Sequence, residues 1–483
     1  MNRPGGVTPL ETPANTSPPT HDVDGASARR QSRRNAVILI GVCALLAALS
    51  LLLPGALSFD PSAWVIWGRE VGRLELDTVT GPSWKPLPVV VTTIAAPFGD
   101  AAPELWMWVA RTGGLLAMAG VVRLGMRLAG PAAGALAGAL LILTPDGEPR
   151  FIRTWAEGHD APATAALAVW AIDRHLAGRR TTTVGLLVAL ALLRPEAWPF
   201  VLVYAAWLAV TTDVSRVALG ASLVAIPVLW FGGDLWGAGN ALQGASAAQV
   251  IPLDLVDRTT TALGNVGAMV IVPAWVGAGL AVVLAIRRRD PVPPVLAALA
   301  LAWCVIVSAM AIVFGYAALS RFLLPAAAVM CVLAGAGYVR AVSTVRASRV
   351  RVALAVGLIA VSAPFVVARA AGLPAVWDEV RFHDDIEQDL HATIDVIGFD
   401  PATTSCAKIA VEPTSQLQPA TAWKLDVPLR DVRFVPETGE VFFLVIANGE
   451  AEAELLADPA IDALGGVGTI AAYARSCRPE GAE

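Results

Sequence analysis

From residue 35 to residue 57 the chain runs without a single charged side chain, and shorter or longer apolar runs of the same kind follow it, cut apart by polar breaks. At about 1.5 Å per residue such a run crosses a hydrocarbon core of roughly 30 Å. The further runs are 104–122, 131–145, 160–176, 183–193, 199–210, 217–231, 264–286, 292–314, 322–339 and 352–370. The pattern predicts an all-α polytopic membrane protein of about eleven transmembrane helices. The two runs flanking Leu193 are short enough for a hairpin of half-length helices.

Composition agrees, since 56% hydrophobic and 16% charged residues with mean hydropathy +0.62 do not suit one aqueous core. The arginines then supply a direction. Arg29, Arg30, Arg33 and Arg34 precede the first run, and a trace from a cytoplasmic start puts Arg123, Arg127, "RHLAGRR", Arg216, Arg287 to Arg289 and "RAVSTVRASRVR" on that same side. By the positive-inside rule the N-terminus is cytoplasmic; the membrane expected from the composition is a bacterial inner (plasma) membrane. A cleaved signal peptide is the rival reading, but "LLPGALS" is a poor cleavage site.

Three regions follow. Residues 1–34 form a cytoplasmic tail, disordered because Pro, Thr, Ser and Gly dominate it and few large apolar side chains offset the ordering entropy. Residues 35–371 are the transmembrane domain. Residues 372–483 carry twenty acids against seven bases and alternate strand-like runs ("KIAVEP", "DVRFV", "EVFFLVIA", "GTIAAYA") with helix-like ones, which predicts a small extracytoplasmic α/β domain. Cys406 and Cys477 both lie there, and an oxidising compartment favours a disulfide between them.

The outer loops share an unusual chemistry. "SFDPSAWVIWGREVGRLELDTVTGPSWKPLP" (58–88), "DGEPRFIRTWAEGHD" (146–160), "RPEAWP" (194–199) and "GYAALSR" (315–321) set charges beside tryptophans and helix ends. An interfacial aromatic belt with solvated charges explains single tryptophans. It explains less of Asp60, Glu157, His159 and Asp160 at the mouths of spans, where carboxylates near lipid are costly. The first loop resembles that of the C-type superfamily of polyprenyl-phosphate-sugar-dependent membrane glycosyltransferases, which includes protein O-mannosyltransferases and aminoarabinose transferases. Asp60 matches that family's first acid, "WKPLP" (84–88) its Lys-Pro stretch, "WAEGHDAP" (155–162) its second acidic site, and "SRFLLP" (320–325) resembles the basic entry of a late helix. Many members carry an adjacent acidic pair where this chain has Asp60-Pro61.

The resemblance implies a hexosyl- or pentosyltransferase that moves a sugar from a polyprenyl phosphate to an envelope glycan, glycolipid or protein, with no nucleic acid involved. Inverting transfer needs a carboxylate to take the acceptor's proton, and Asp60 is the candidate, with Glu157 and Asp160 beside it. Charge developing on the phosphate needs cations already in place, for which Lys85, Arg194 and Arg321 are the candidates. Trp64, Trp84, Trp155, His159, Glu196 and Trp198 are candidate pocket walls. Glu157, His159 and Asp160 leave room for a divalent metal (Mg, Mn or Ca), whose identity the residues do not fix.

Each assignment has a plainer alternative. Asp60 is also a good N-cap beside Pro61, Lys85 and Arg321 are placed to snorkel, and Arg194 with Glu196 is a possible local pair. "HDDIEQDLH" (383–391) reads as the solvated face of an amphipathic helix rather than a metal site. Two other function classes compete: a transporter for a small solute or lipid-linked substrate, and an inactive envelope scaffold. Few ionisable groups lie away from span ends, which disfavours transport. Richness in Ala, Gly, Arg and Pro points to an actinobacterial-like, high-GC source.

Overall fold

The computed structural model describes residues 21–144, 151–212, 214–249, 254–317, 319–414, 416–435 and 437–477. Of the stretch expected to be disordered, 1–20 lies outside these residues, as does 145–150 of the second polar loop. From His21 the chain is helical. Helix α1 (His21–Ser50) carries the first apolar run, and the first polar loop then folds into α2 (Phe59–Arg73) and α3 (Pro86–Ala95). The membrane part continues with α4 (Ala102–Ala129), α5 (Pro131–Ile142), α6 (Phe151–Ala156), α7 (Ala161–Leu176), α8 (Arg180–Leu193), α9 (Trp198–Thr211) and α10 (Arg216–Ala238). After these come α11 (Gln243–Ala247), α12 (Leu255–Ala268), α13 (Val272–Arg288), α14 (Val292–Phe314), α15 (Leu324–Thr344) and α16 (Ser348–Ala371).

Each of the eleven expected runs is helical over most of its length. Among the described residues, six helical segments are long and apolar enough to cross a membrane, or seven if α12 and α13, bent by 73°, form one broken span. Helices α5 and α8 are apolar but short, and α8 and α9 have 14 residues each.

Helix α15 is the buried centre of the bundle, with Leu324 to Gly337 all enclosed. Lipid tails are as apolar as leucine, so close backbone approach has to hold such helices together. Small residues provide it. A Cβ on Gly337 would overlap the Gly277 carbonyl of α13, and one on Gly335 would overlap Ala133 of α5. At one end of the bundle, Asp173 of α7 is gripped by Arg123, Arg127 and Arg174, while Arg340 of α15 pairs with Asp290 at 2.9 Å. The opposite end of α7 and α15 carries Asp160 and Arg321.

The chain ends in a compact α/β unit. Its five strands are β1 (Lys408–Val411), β2 (Val432–Phe434), β3 (Val441–Ile446), β4 (Ile461–Val467) and β5 (Ile470–Arg475), in the order β2-β1-β3-β5-β4. Strands β2, β1 and β3 are parallel, and β5 is antiparallel to both β3 and β4. Helix α17 (Leu373–Ile397) continues from the membrane part and covers one sheet face, where Ile386, Leu390 and Ile394 meet Ile409, Phe442 and Leu444. The other face buries Phe443, Val445 and Tyr473 under Leu455 of α19 (Glu450–Leu456). Helix α18 (Leu417–Lys424) completes the unit. Cys406 and Cys477 are joined in a disulfide with Cα atoms 5.0 Å apart.

This unit does not stand apart from the membrane part. Ala63 and Ile66 of α2 belong to the same apolar core as Leu417 and Leu429. Arg69 of α2 donates to the Val427 carbonyl at 2.9 Å and lies 5.0 Å from the Trp423 ring centroid. Helix α2 is thus clamped between the bundle and the sheet domain, which fixes whatever its first turn presents.

Candidate active site

Ser58 occupies the N-cap position of α2 and Asp60 lies in its first turn. The Asp60 carboxylate does not serve the helix end. Its Oδ2 accepts from Arg321 Nη2 at 2.9 Å. Arg321 comes from the short 3-10 turn Ser320–Leu323 that opens α15, so the contact ties the first polar loop to the central helix. This sets aside the reading of Asp60 as the cap.

Lys85 precedes α3 in extended backbone, with Pro86 starting the helix. Its Nζ donates to Asp160 Oδ2 at 2.9 Å and lies 4.6 Å from the centroid of the Trp64 ring. Arg194, at the end of α8, donates to the other Asp160 oxygen at 3.0 Å. It therefore pairs with Asp160, not with its neighbour Glu196. Phe322 lies beneath both arginines, 4.3 Å from Arg194 and 5.7 Å from Arg321. Lys85, Arg194 and Asp160 are almost wholly buried, whereas Asp60 and Arg321 keep about a sixth of their side chains exposed, at 17% and 16%.

Three cations face two carboxylates here, so the cluster has a net positive charge. Burial works to raise the Asp60 carboxyl, but Arg321, with Lys85 and His159 behind it, holds it below its ordinary value. Burial opposes the charge on Asp160 too, yet Arg194 and Lys85 hold that carboxyl well below the usual carboxylate range. Lys85 is pushed down by burial and then by Arg194, against the pull of Asp160 and Asp60. What this arrangement suits is an added anion, which would relieve the repulsion between Lys85 and Arg194.

Glu157 sits beside the cluster in its own network. Its side chain accepts from Arg153 at 3.1 Å and from His383 of α17 at 3.0 Å, and His159 lies 3.6 Å away. Burial opposes ionisation, but His159, His383 and Arg153 bring its carboxyl down to about 2. His159 is itself lowered, by burial and then by Arg321. Asp60, Glu157 and Asp160 each already pair with a cation or a histidine, and among the described residues no group of three His, Cys, Asp or Glu side chains could hold a metal ion. The described residues of the cluster do not fit a divalent metal.

The remaining candidates are scattered. Trp84, Trp155 and Trp198 give their indole N–H groups to the backbone carbonyls of Leu229, Arg111 and Ala191, so they brace helices. The Trp64 ring lies under Lys85 of the cluster. Glu196 is buried with Oε2 unpartnered. The His383 contact was not legible in "HDDIEQDLH", because periodicity gave that helix a solvated face without showing that one of its rows meets the bundle.

An apolar cavity of about 850 Å³ runs between α7, α8, α9, α14 and α15. Phe200, Trp303 and Pro325 line its end toward the cluster, and Trp303 donates to the Phe322 carbonyl at 2.8 Å. His175, Tyr204 and Trp207 line the end toward the Asp173 arginines.

No protein-family model matches this chain, and no curated protein matches it. Solved structures do. ArnT from Cupriavidus metallidurans bound to undecaprenyl phosphate aligns over 91% of this chain and 98% of its own, at 15% identity and a TM-score of 0.50. This chain shares that protein's fold. The Archaeoglobus fulgidus oligosaccharyltransferase tethered with an acceptor peptide aligns over 82% of this chain and 63% of its own, at 14% identity and a TM-score of 0.46. Within this fold, the charged cluster lies where the first polar loop, α7, α8 and the start of α15 converge.

Proposed function

We propose that this chain is a membrane glycosyltransferase that moves a hexose or pentose from a polyprenyl phosphate to a cell-envelope acceptor on the outer face of a bacterial plasma membrane. One observation carries the reading: Lys85, Arg194 and Arg321 converge with Asp60 and Asp160 at the head of an apolar cavity between transmembrane helices. A lipid phosphate needs both parts, cations for its headgroup and an apolar wall for its tail. The ArnT neighbour was solved with undecaprenyl phosphate, which is chemistry of that class.

In this reading the three cations receive the phosphate and stabilise the charge it gains as the sugar leaves. Asp60 takes the proton of the acceptor hydroxyl from the face opposite the leaving phosphate, and the product is inverted at the anomeric carbon. Asp160 holds Lys85 and Arg194 apart and aligned. The arginines at the other end of the bundle support a cytoplasmic position for that end, with eleven crossings and the 372–483 unit outside.

The test is transfer by the purified chain in lipid vesicles, supplied with radiolabelled polyprenyl-phosphate hexoses and pentoses and an envelope extract as acceptor. Label moving from lipid to acceptor supports the reading. Passage of solute or flipped lipid without label transfer would overturn it in favour of transport.

A further inference from the structure

Helix α17 reaches back from the sheet domain onto the loops that carry the acidic residues. Glu379, His383 and Glu387 are spaced by four residues, which puts them on one side of the helix. Each meets the membrane part. Glu379 accepts from Arg153 at 2.9 Å, His383 Nδ1 lies 3.0 Å from Glu157 Oε1, and the Leu57 backbone N–H donates to the Glu387 carboxylate. Asp378, Arg381, Asp385 and Gln388, on other sides of α17, are exposed.

The contacts continue inward. Arg153 bonds Glu157 as well as Glu379, so Glu157 is held from its own helix and from α17 at once. The Glu157 backbone carbonyl accepts from the Ser58 backbone N–H at 3.2 Å, and Ser58 Oγ lies 3.3 Å from His159 Nδ1. Ser58 is the N-cap residue of α2, two positions before Asp60. A rigid path therefore runs from α17 through Glu157 to Ser58 and the first turn of α2.

We infer that α17 positions the catalytic machinery: the row Glu379, His383, Glu387 grips the Leu57–Ser58 turn and the Glu157 loop, and so sets where Asp60 stands. The inference rests on the reading of Asp60 as the base. It gives the C-terminal unit a task that does not require it to bind substrate. His383 is a positioning residue, since its contact is with Glu157 and not with a reacting group. A buried ionised carboxylate that loses one of its donors is costly and shifts to find another. The turn hydrogen-bonded to it then shifts too, and displacement of a reacting group by about 1 Å costs on the order of a hundredfold in rate.

The experiment uses the full chain in lipid vesicles and two readouts, hydrogen exchange of the peptide spanning 54–62 and steady-state transfer. His383→Ala should speed exchange of that peptide and lower kcat at least about tenfold with KM for the lipid donor unchanged. His383→Gln, whose amide still donates to Glu157, should restore both. Glu379→Gln, at a half-exposed position, should move both the same way by less. Exchange reports on positioning even if the chain proves to be no transferase, so the two readings fail separately. Unchanged exchange of 54–62 in His383→Ala would overturn the inference. So would exchange rising throughout the sheet domain with no rescue by Gln, since His383 would then only hold that unit folded.

Discussion

Arg321 Nη2 lies 2.9 Å from Asp60 Oδ2, joining two residues that stand 261 positions apart in the chain. The pairing has a consequence for chemistry. A carboxylate held by a guanidinium is ionised but weakly basic. On the proposed function, a lipid phosphate arriving at Arg321 would compete for the same donors and leave Asp60 more basic as the donor binds. The proposed base and donor site would thereby be coupled.

Asp60→Asn separates this role from structure. Asparagine keeps an oxygen to accept from Arg321, so the loss in stability should stay on the order of 1–2 kcal/mol. It accepts no proton, and transfer should fall at least about a hundredfold with donor KM little changed. Thermal melting of the purified variant beside its transfer kinetics checks both parts. Transfer close to that of the unaltered chain would end the assignment.

Lys85→Ala should act differently, because a phosphate contact serves binding as well as the leaving charge. Removing it leaves Asp160 paired to Arg194 alone and takes one cation from the cluster. Donor KM should rise and kcat fall, together lowering kcat/KM by roughly 10–100-fold. Direct binding of polyprenyl phosphate to the variant, read by tryptophan fluorescence, should weaken in parallel. The Trp64 ring beneath Lys85 is a local reporter.

Much of this was legible in the chain, and what was not has a physical reason. Apolar runs marked the helices, because lipid allows no other use for long uncharged stretches. Asp60, Lys85, Asp160, Arg194 and Arg321 stood out as charges at span ends, and they meet in one cluster. Trp84, Trp155 and Trp198 stood out just as clearly, and their indoles bond backbone carbonyls, since a tryptophan at a helix end serves an interhelical hydrogen bond as readily as a pocket. Strand β4 was missed because "IDALGGV" (461–467) has no alternation, its backbone being fixed by β5 and not by its own side chains. The contact of α17 with Glu157 depends on how two domains dock, and no local pattern encodes that.

Glu70 gives a stability prediction with a definite sign. It is buried in α2, its Oε2 accepts the Asp77 backbone N–H at 2.9 Å, and burial pushes its carboxyl up to about 7. A carboxyl raised on folding binds more protons in the folded chain than in the unfolded one between roughly pH 4.5 and 7. Its contribution is therefore complete below that window and is lost as pH rises through it, by about 3 kcal/mol in total. Glu70→Gln should flatten the fall in thermal stability between pH 5 and pH 8 while leaving the value at pH 5 nearly unchanged. An equal fall in both proteins would place the titration elsewhere.

The apolar cavity supports a last prediction, on donor length. A polyprenyl tail entering from the bilayer exchanges one apolar surround for another, so the cavity gains little from hydrophobicity itself. On the proposed function, its contribution would lie in holding the tail so that the phosphate stands at Lys85, Arg194 and Arg321. Val203 of α9 and Val295 of α14 both line the cavity and are more than half exposed at its open side, so larger side chains there need not disturb the bundle. Val203→Trp combined with Val295→Trp should narrow the groove and raise KM for a long-chain donor about tenfold, with kcat unchanged, because the interaction is made equally in ground and transition states. A donor with a tail of two isoprene units, too short to pass Trp303, should be used by variant and unaltered chain alike. Equal losses with short and long tails would mean that the tail lies in another groove, and equal retention of both would mean that it lies in the bilayer.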